Sequence, residues 1–79
     1  MQNVVKDTIQ SINRRIHKCY RNATPQQKQC FAAQIVHGYR NKMDAETQQT
    51  IINTMVDQYS ARYRYFDHRN FRHIARDGI

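Results

Sequence analysis

The one proline of the chain, Pro25, stands between two segments whose apolar residues recur at helical spacing. That punctuation limits the fold more than any other feature. Thr24 is suited to an N-cap, Pro25 to the first helical position, and Gln27 to the reciprocal arm of a capping box. On the N-terminal side, Val5, Ile9, Ile12, Ile16, Cys19 and Tyr20 follow an i, i+4, i+7, i+11 series. They fall within an arc of about 100°, so residues 4–20 read as one amphipathic helix. Arg14, Lys18 and Arg21 project from its opposite face. On the C-terminal side, Phe31, Ala32, Ile35, Val36 and Tyr39 mark a second helix from about Pro25 to Gly38 or a little beyond, with Gly38 either a C-terminal cap or a helical position on the way to Asn41.

Asp44 is placed to cap a third helix, with Glu46 favourable in its first turn. From Ala45 onward Ile52, Met55, Val56, Tyr59, Tyr63 and Phe66 extend one apolar stripe. Asp67-His68-Arg69-Asn70 holds poor helix formers, so a break or kink is expected over 67–70, with Asp67 capping a short last helix. Without a break, Ile74 stays on the stripe. The end, Asp77-Gly78-Ile79, is expected to fray.

Three amphipathic segments joined by short connections favour antiparallel neighbours. The expected fold class is therefore all-α: a small antiparallel three-helix arrangement with a long or kinked third helix and room for a short fourth. No repeat or composition shift divides the 79 residues, so 1–79 reads as a single helical domain. Two Gly and one Pro argue against a β-sandwich, a barrel or a long linker. Apolar runs never exceed four residues, far short of the roughly 20 a membrane span needs. Met1 to Gln10 lacks the apolar stretch of a secretory signal, so a cytoplasmic location with reduced thiols is expected.

Net charge is +7, from thirteen Lys and Arg against six Asp and Glu. Glu46 is the one Glu, while nine Gln supply helix propensity without negative charge. Residues 1–42 carry eight basic groups and one acidic, residues 43–60 carry −3, and residues 61–79 carry +3. The charge excludes a protein that mimics DNA and favours a polyanionic or acidic partner. A membrane-surface role is disfavoured because the apolar face of the first helix is needed for the core.

Arginine and aromatic residues concentrate between Tyr59 and Arg76. On an unbroken helix Arg62, Tyr65, Arg69, Arg72 and Arg76 would share one strip beside the apolar stripe. Guanidinium groups bind phosphate or carboxylate bidentately, and rings among them stack on unpaired bases. Tyr59, Tyr63 and Phe66 are expected in the core, whereas Tyr65, Phe71 and the arginines are expected on a binding surface. An unbroken third helix would also outreach the other two, which are about 25 Å long at 1.5 Å per residue. Phe66, Phe71 and Ile74 would then lack intrachain partners and support a weak homodimer; a fold-back at Asp67 is the alternative.

Catalytic signatures are missing: there is no HExxH, GxSxG, phosphate-binding glycine loop or CxxC. No enzyme, cofactor or metal is expected. His17 and Cys19 project about 160° apart on a helix, which prevents one ion from taking both. Cys19 and Cys30 flank the Thr24-Pro25 turn and could approach each other. A disulfide needs Cβ atoms about 3.5–4.5 Å apart, so unpaired thiols are the default. A helix-turn-helix centred on Gly38 would put Gln34 and Asp44 at positions that want apolar residues, and its recognition helix would have no basic residue before Arg62.

The expected function is thus a small non-enzymatic binding protein that engages nucleic acid or a nucleoprotein complex. Arg14, Lys18, Arg21, Arg62, Tyr65, Arg69, Arg72 and Arg76 are the candidate contacts. The alternative is a modulator or inhibitor of phage or mobile-element type that docks on an acidic partner protein.

Overall fold

A computed structural model describes residues 2–78, with side chains from Val4 onward, and folds them into four helices. These are α1 (Gln2–Cys19), α2 (Pro25–Gly38), α3 (Ala45–Arg62) and α4 (His68–Asp77). Among the described residues there is no strand, and no helix is long and apolar enough to cross a membrane.

Side-chain caps set where three of these helices begin. Thr24 Oγ1 accepts from the Gln27 N–H at 3.1 Å, and Gln27 Oε1 accepts from the Thr24 N–H at 3.0 Å, completing the expected capping box. Asp44 Oδ1 accepts from the Thr47 N–H at 2.8 Å. The Thr47 side chain, and then its backbone N–H, lower the Asp44 carboxyl from its ordinary pKa. Asp67 Oδ1 caps α4 through the Asn70 N–H at 3.1 Å.

Helix ends take different forms at the two glycines. Gly38 is the last residue of α2 rather than a left-handed cap. Tyr39 follows it in right-handed conformation, and its N–H donates to Val36 O at 3.0 Å. A run of tight turns then carries the chain forward, and no positive φ is needed. Gly78 does take the left-handed conformation, at φ 97°, with its N–H donating to Ile74 O at 2.8 Å. The expected fraying is therefore corrected for Asp77 and Gly78; Ile79 lies outside the described residues.

The long third stripe breaks at Tyr63, ahead of the expected 67–70. Tyr63 is extended (φ −116°, ψ 120°), and residues 63–67 turn the chain back. The reward for turning is an aromatic cluster around Tyr59. Tyr63, Phe66 and Phe71 meet its ring edge-on at centroid distances of 5.6, 5.7 and 5.7 Å. Phe71 and Ile74 enter the core, 2% and 8% exposed, and Phe66 packs against it. Burying each such side chain contributes about 1.5–3 kcal/mol. Of the two outcomes left open for Phe66, Phe71 and Ile74, the structure shows the fold-back, which gives all three intrachain partners.

α4 lies closest against α2, where Ala32, Ala33 and Ala75 are fully buried and let the two backbones approach. The two helices run in the same direction: Asn70 Nδ2 lies 3.8 Å from Cys30 Sγ at one end, and Gly78 abuts the His37 ring at the other. α1 and α3 also run alike, since their C-terminal halves line one depression. The core joins Ile9, Ile12 and Ile16 of α1 to Val36, Ile51, Ile52, Met55, Val56 and Tyr59. Cys19 leaves the expected stripe and is exposed, because Tyr20 follows the helix end and stacks on Phe31 at 4.1 Å. Cys19 and Cys30 are both free thiols, and Cys30 is half-buried.

Candidate nucleic-acid interface

The break after Arg62 brings the α3–α4 link over the start of α2 and the end of α1. Three shallow depressions join there. One, of about 160 Å³, is lined by Asn13, His17, Lys28, Gln29, Arg62 and Tyr63. A second, of about 270 Å³, shares Gln29, Arg62 and Tyr63 and adds Pro25, Gln26, Arg64 and Tyr65. A third, of about 280 Å³, continues from Gln26, Gln29 and Tyr65 to Cys30, Asp67 and Asn70. Lys28, Arg62 and Arg64 thus converge from two elements that are distant in sequence.

The first carboxylate along this path is Asp67, whose Oδ1 is engaged by the Asn70 N–H. Among the described residues, Lys28, Arg62 and Arg64 have no carboxylate partner; the contact of His73 Nδ1 with Asp77 Oδ2, at 3.2 Å, lies on α4. Pro25 and Gln26 of the first turn of α2 line the second depression, and that turn carries no acid to offset the positive end of the helix dipole. Tyr65 is 80% exposed, and the Arg64 guanidinium carbon sits 5.6 Å from its ring centroid. The arrangement offers clustered cations, amide groups and one open ring, which suits a flexible polyanion with stackable groups.

Beyond Asn13 and Arg62 the surface opens into a larger trough of about 950 Å³ between α1 and α3. Its floor includes Val5, Ile9 and Ala61, with Lys6 and Arg62 as the two cations of its lining. On the other side of the molecule, Arg15 and Lys42 flank a smaller cleft containing Tyr20, Phe31 and Tyr39.

Of the residues singled out from sequence, Arg62 and Tyr65 come together on the linked depressions. Arg69 and Arg76 are exposed on α4. Arg72 is half-buried, and its Nη1 donates to Asn53 Oδ1 at 2.8 Å, so it joins α4 to α3 instead of facing a ligand. The single arginine strip does not form, because it required an unbroken helix. Arg14, Lys18 and Arg21 are exposed outside the depressions. Phe71, expected on the surface, is buried.

Sequence reasoning missed His17, Lys28 and Arg64 as neighbours of Arg62. A signal existed for α1: Lys6, Gln10, Asn13 and His17 repeat at i, i+4, i+7, i+11 beside the apolar stripe. Lys28 could be placed only by the tertiary fold. Burial pushes the Tyr59 phenol up to about 12, with Tyr63 adding to the shift and Arg62 opposing it. The hydroxyl donates to Asn13 Oδ1 beneath the site. No group of three or more His, Cys, Asp or Glu that could hold a metal ion occurs among the described residues. Comparison with protein-family models, curated proteins and solved structures finds no match to this chain.

Proposed function

We propose that this protein is a non-enzymatic nucleic-acid-binding module of the cytoplasm that holds an unpaired strand, free or exposed on a nucleoprotein complex. The strand lies over the α3–α4 link. Lys28, Arg62 and Arg64 take its phosphates, and Tyr65 stacks on a base. The supporting observation is the run of linked depressions with these three cations and no carboxylate before Asp67. An unpaired strand is favoured over a duplex because stacking on Tyr65 needs an open base face.

Fluorescence anisotropy with labelled single-stranded oligonucleotides tests the reading. Three phosphate contacts give a log–log salt slope of about −2, since each contributes roughly 0.7 on single strands. Arg62→Gln and Arg64→Gln each flatten the slope, and Tyr65→Ala weakens binding by about 1–3 kcal/mol without changing it. Equal weakening by Arg69→Gln and Arg76→Gln would move the site to α4. No binding at about 50 mM salt, where three phosphate contacts act strongly, would reject the reading.

A further inference from the structure

The trough between α1 and α3 differs in chemistry from the depressions it adjoins. Its floor is Val5, Ile9 and Ala61. Thr50 and Thr54 form a wall, but their hydroxyls donate to Glu46 O at 2.9 Å and Thr50 O at 2.8 Å. Their donor protons are thereby engaged, and the threonines present methyl groups and acceptor oxygens to the trough. Gln10, Asn13 and Gln58 add amides to the lining, while Val5, Ile9, Ala61 and the threonine methyls give an apolar helix face a complementary strip.

From the geometry we infer that this trough docks an acidic amphipathic helix of a partner protein. Thr50 to Ala61 spans about 16 Å of α3 at 1.5 Å per residue, which accommodates three turns of a helix. α1 and α3 run alike, so a third helix can lie along the groove between them. Lys6 of α1 and Arg62 of α3 lie toward opposite ends, and no carboxylate lines the trough. The occupant that satisfies these features has Leu-type residues on one face and carboxylates toward both ends. A second copy of this chain does not qualify. The apolar faces of its helices are committed to the core, and its charge of +7 opposes a like charge. Arg62 is shared with the nucleic-acid site, but Lys6 and the threonine wall lie outside it, so the two readings fail separately.

The test uses a fluorescein-labelled synthetic helix with Leu at i, i+4 and i+7, flanked by Glu. Controls are the same peptide with Lys for Glu and a scrambled order of the acidic one. The acidic amphipathic peptide should bind at least about tenfold more tightly than either control. Lys6→Glu, at an exposed position, should weaken it about tenfold while leaving oligonucleotide affinity unchanged. Thr54→Arg should block the trough, with the melting temperature checking that the fold persists. Backbone amide shifts should move at Val5, Ile9, Thr54 and Ala61. Equal binding of the scrambled peptide, insensitivity to Lys6→Glu, or shifts centred on Lys28 and Tyr65 would each overturn the inference. Loss of oligonucleotide binding alone would strike only the nucleic-acid reading.

Discussion

The Tyr59 hydroxyl donates to Asn13 Oδ1 across 3.2 Å, joining α3 to α1 directly beneath Arg62 and His17. The same ring anchors the fold-back, because Tyr63, Phe66 and Phe71 all pack edge-on against it. One residue thus couples the hydrophobic core to the geometry of the candidate interface.

This coupling has a pH signature. With the folded-state value raised from 10.0 to about 12, the unfolded chain releases the Tyr59 proton first as pH rises. Stability from this group is complete below pH 10 and falls between 10 and 12, by roughly 3 kcal/mol in total. Tyr59→Phe should cost about 1 kcal/mol at neutral pH through the lost hydrogen bond. It should also remove this part of the alkaline decline. Urea unfolding of both proteins at pH 7, 9 and 11 checks the outcome; parallel declines would contradict it.

Arg72 and Arg64 should separate stability from binding. Arg72 is engaged with Asn53, whereas Arg64 is exposed beside Tyr65. Arg72→Gln should lower stability by about 1 kcal/mol, the lower part of the range for a charged hydrogen bond because the site is partly solvated. Its oligonucleotide affinity should stay near wild type. Arg64→Gln should do the reverse. Denaturant melts and anisotropy on the same samples distinguish the two, and affinity lost through Arg72→Gln at unchanged stability would place that arginine on the ligand.

The starts of α2, α3 and α4 were legible because caps are local: Thr24, Asp44 and Asp67 bond to backbone three residues ahead. The break at Tyr63 was less legible, since the apolar period runs through it unbroken. Only contact of Phe66 and Phe71 with Tyr59 favours a turn there, and periodicity carries no information about such distant partners. The same turn moves Arg62 and Tyr65 to Lys28 while Arg72 goes to Asn53. A strip drawn on a straight helix could not separate those fates. Ile51 was also absent from the expected stripe, yet it is 1% exposed, because α3 meets partners on more than one side.

The two glycines should respond oppositely to alanine. Nothing lies within 4 Å of a Cβ added at Gly38, which is helical and exposed. Gly38→Ala should stabilise by about 0.5–1 kcal/mol. At Gly78, with φ at +97°, an added Cβ would stand 2.9 Å from His37 Nε2. Gly78→Ala should destabilise by about 1–2 kcal/mol through backbone strain and displacement of the ring. Thermal melts of both variants decide this, and a stabilised Gly78→Ala would show that the α4 cap contributes little.

Reductant should leave the thermal midpoint unchanged, because Cys19 and Cys30 are free. Cys19→Ser should be nearly silent at its exposed position, while Cys30→Ser should cost more through its packing against the core. A midpoint that falls on reduction, or a larger loss at Cys19, would contradict this assignment.

Self-association was the outcome expected of an unbroken stripe and a fold-back its alternative; the fold-back supplies the stripe with intrachain partners. Phe71 is 2% exposed and Ile74 8%, both within the core of one chain, and Phe66 lies 5.6 Å from Phe71 between ring centroids. Two chains meeting at α4 would have little of that apolar surface to bury. They would also bring Arg69 and Arg76 of each copy together, at a net charge of +7 per chain. We therefore expect a 9.5 kDa monomer in sedimentation equilibrium, including at high salt where repulsion is screened. Phe71→Ala should cost about 3–5 kcal/mol as a core cavity. Wild-type unfolding should also be independent of protein concentration, as mass action requires when no dimer forms. A midpoint that rises with concentration, or a dimer that Phe71→Ala dissociates, would show that α4 pairs two chains.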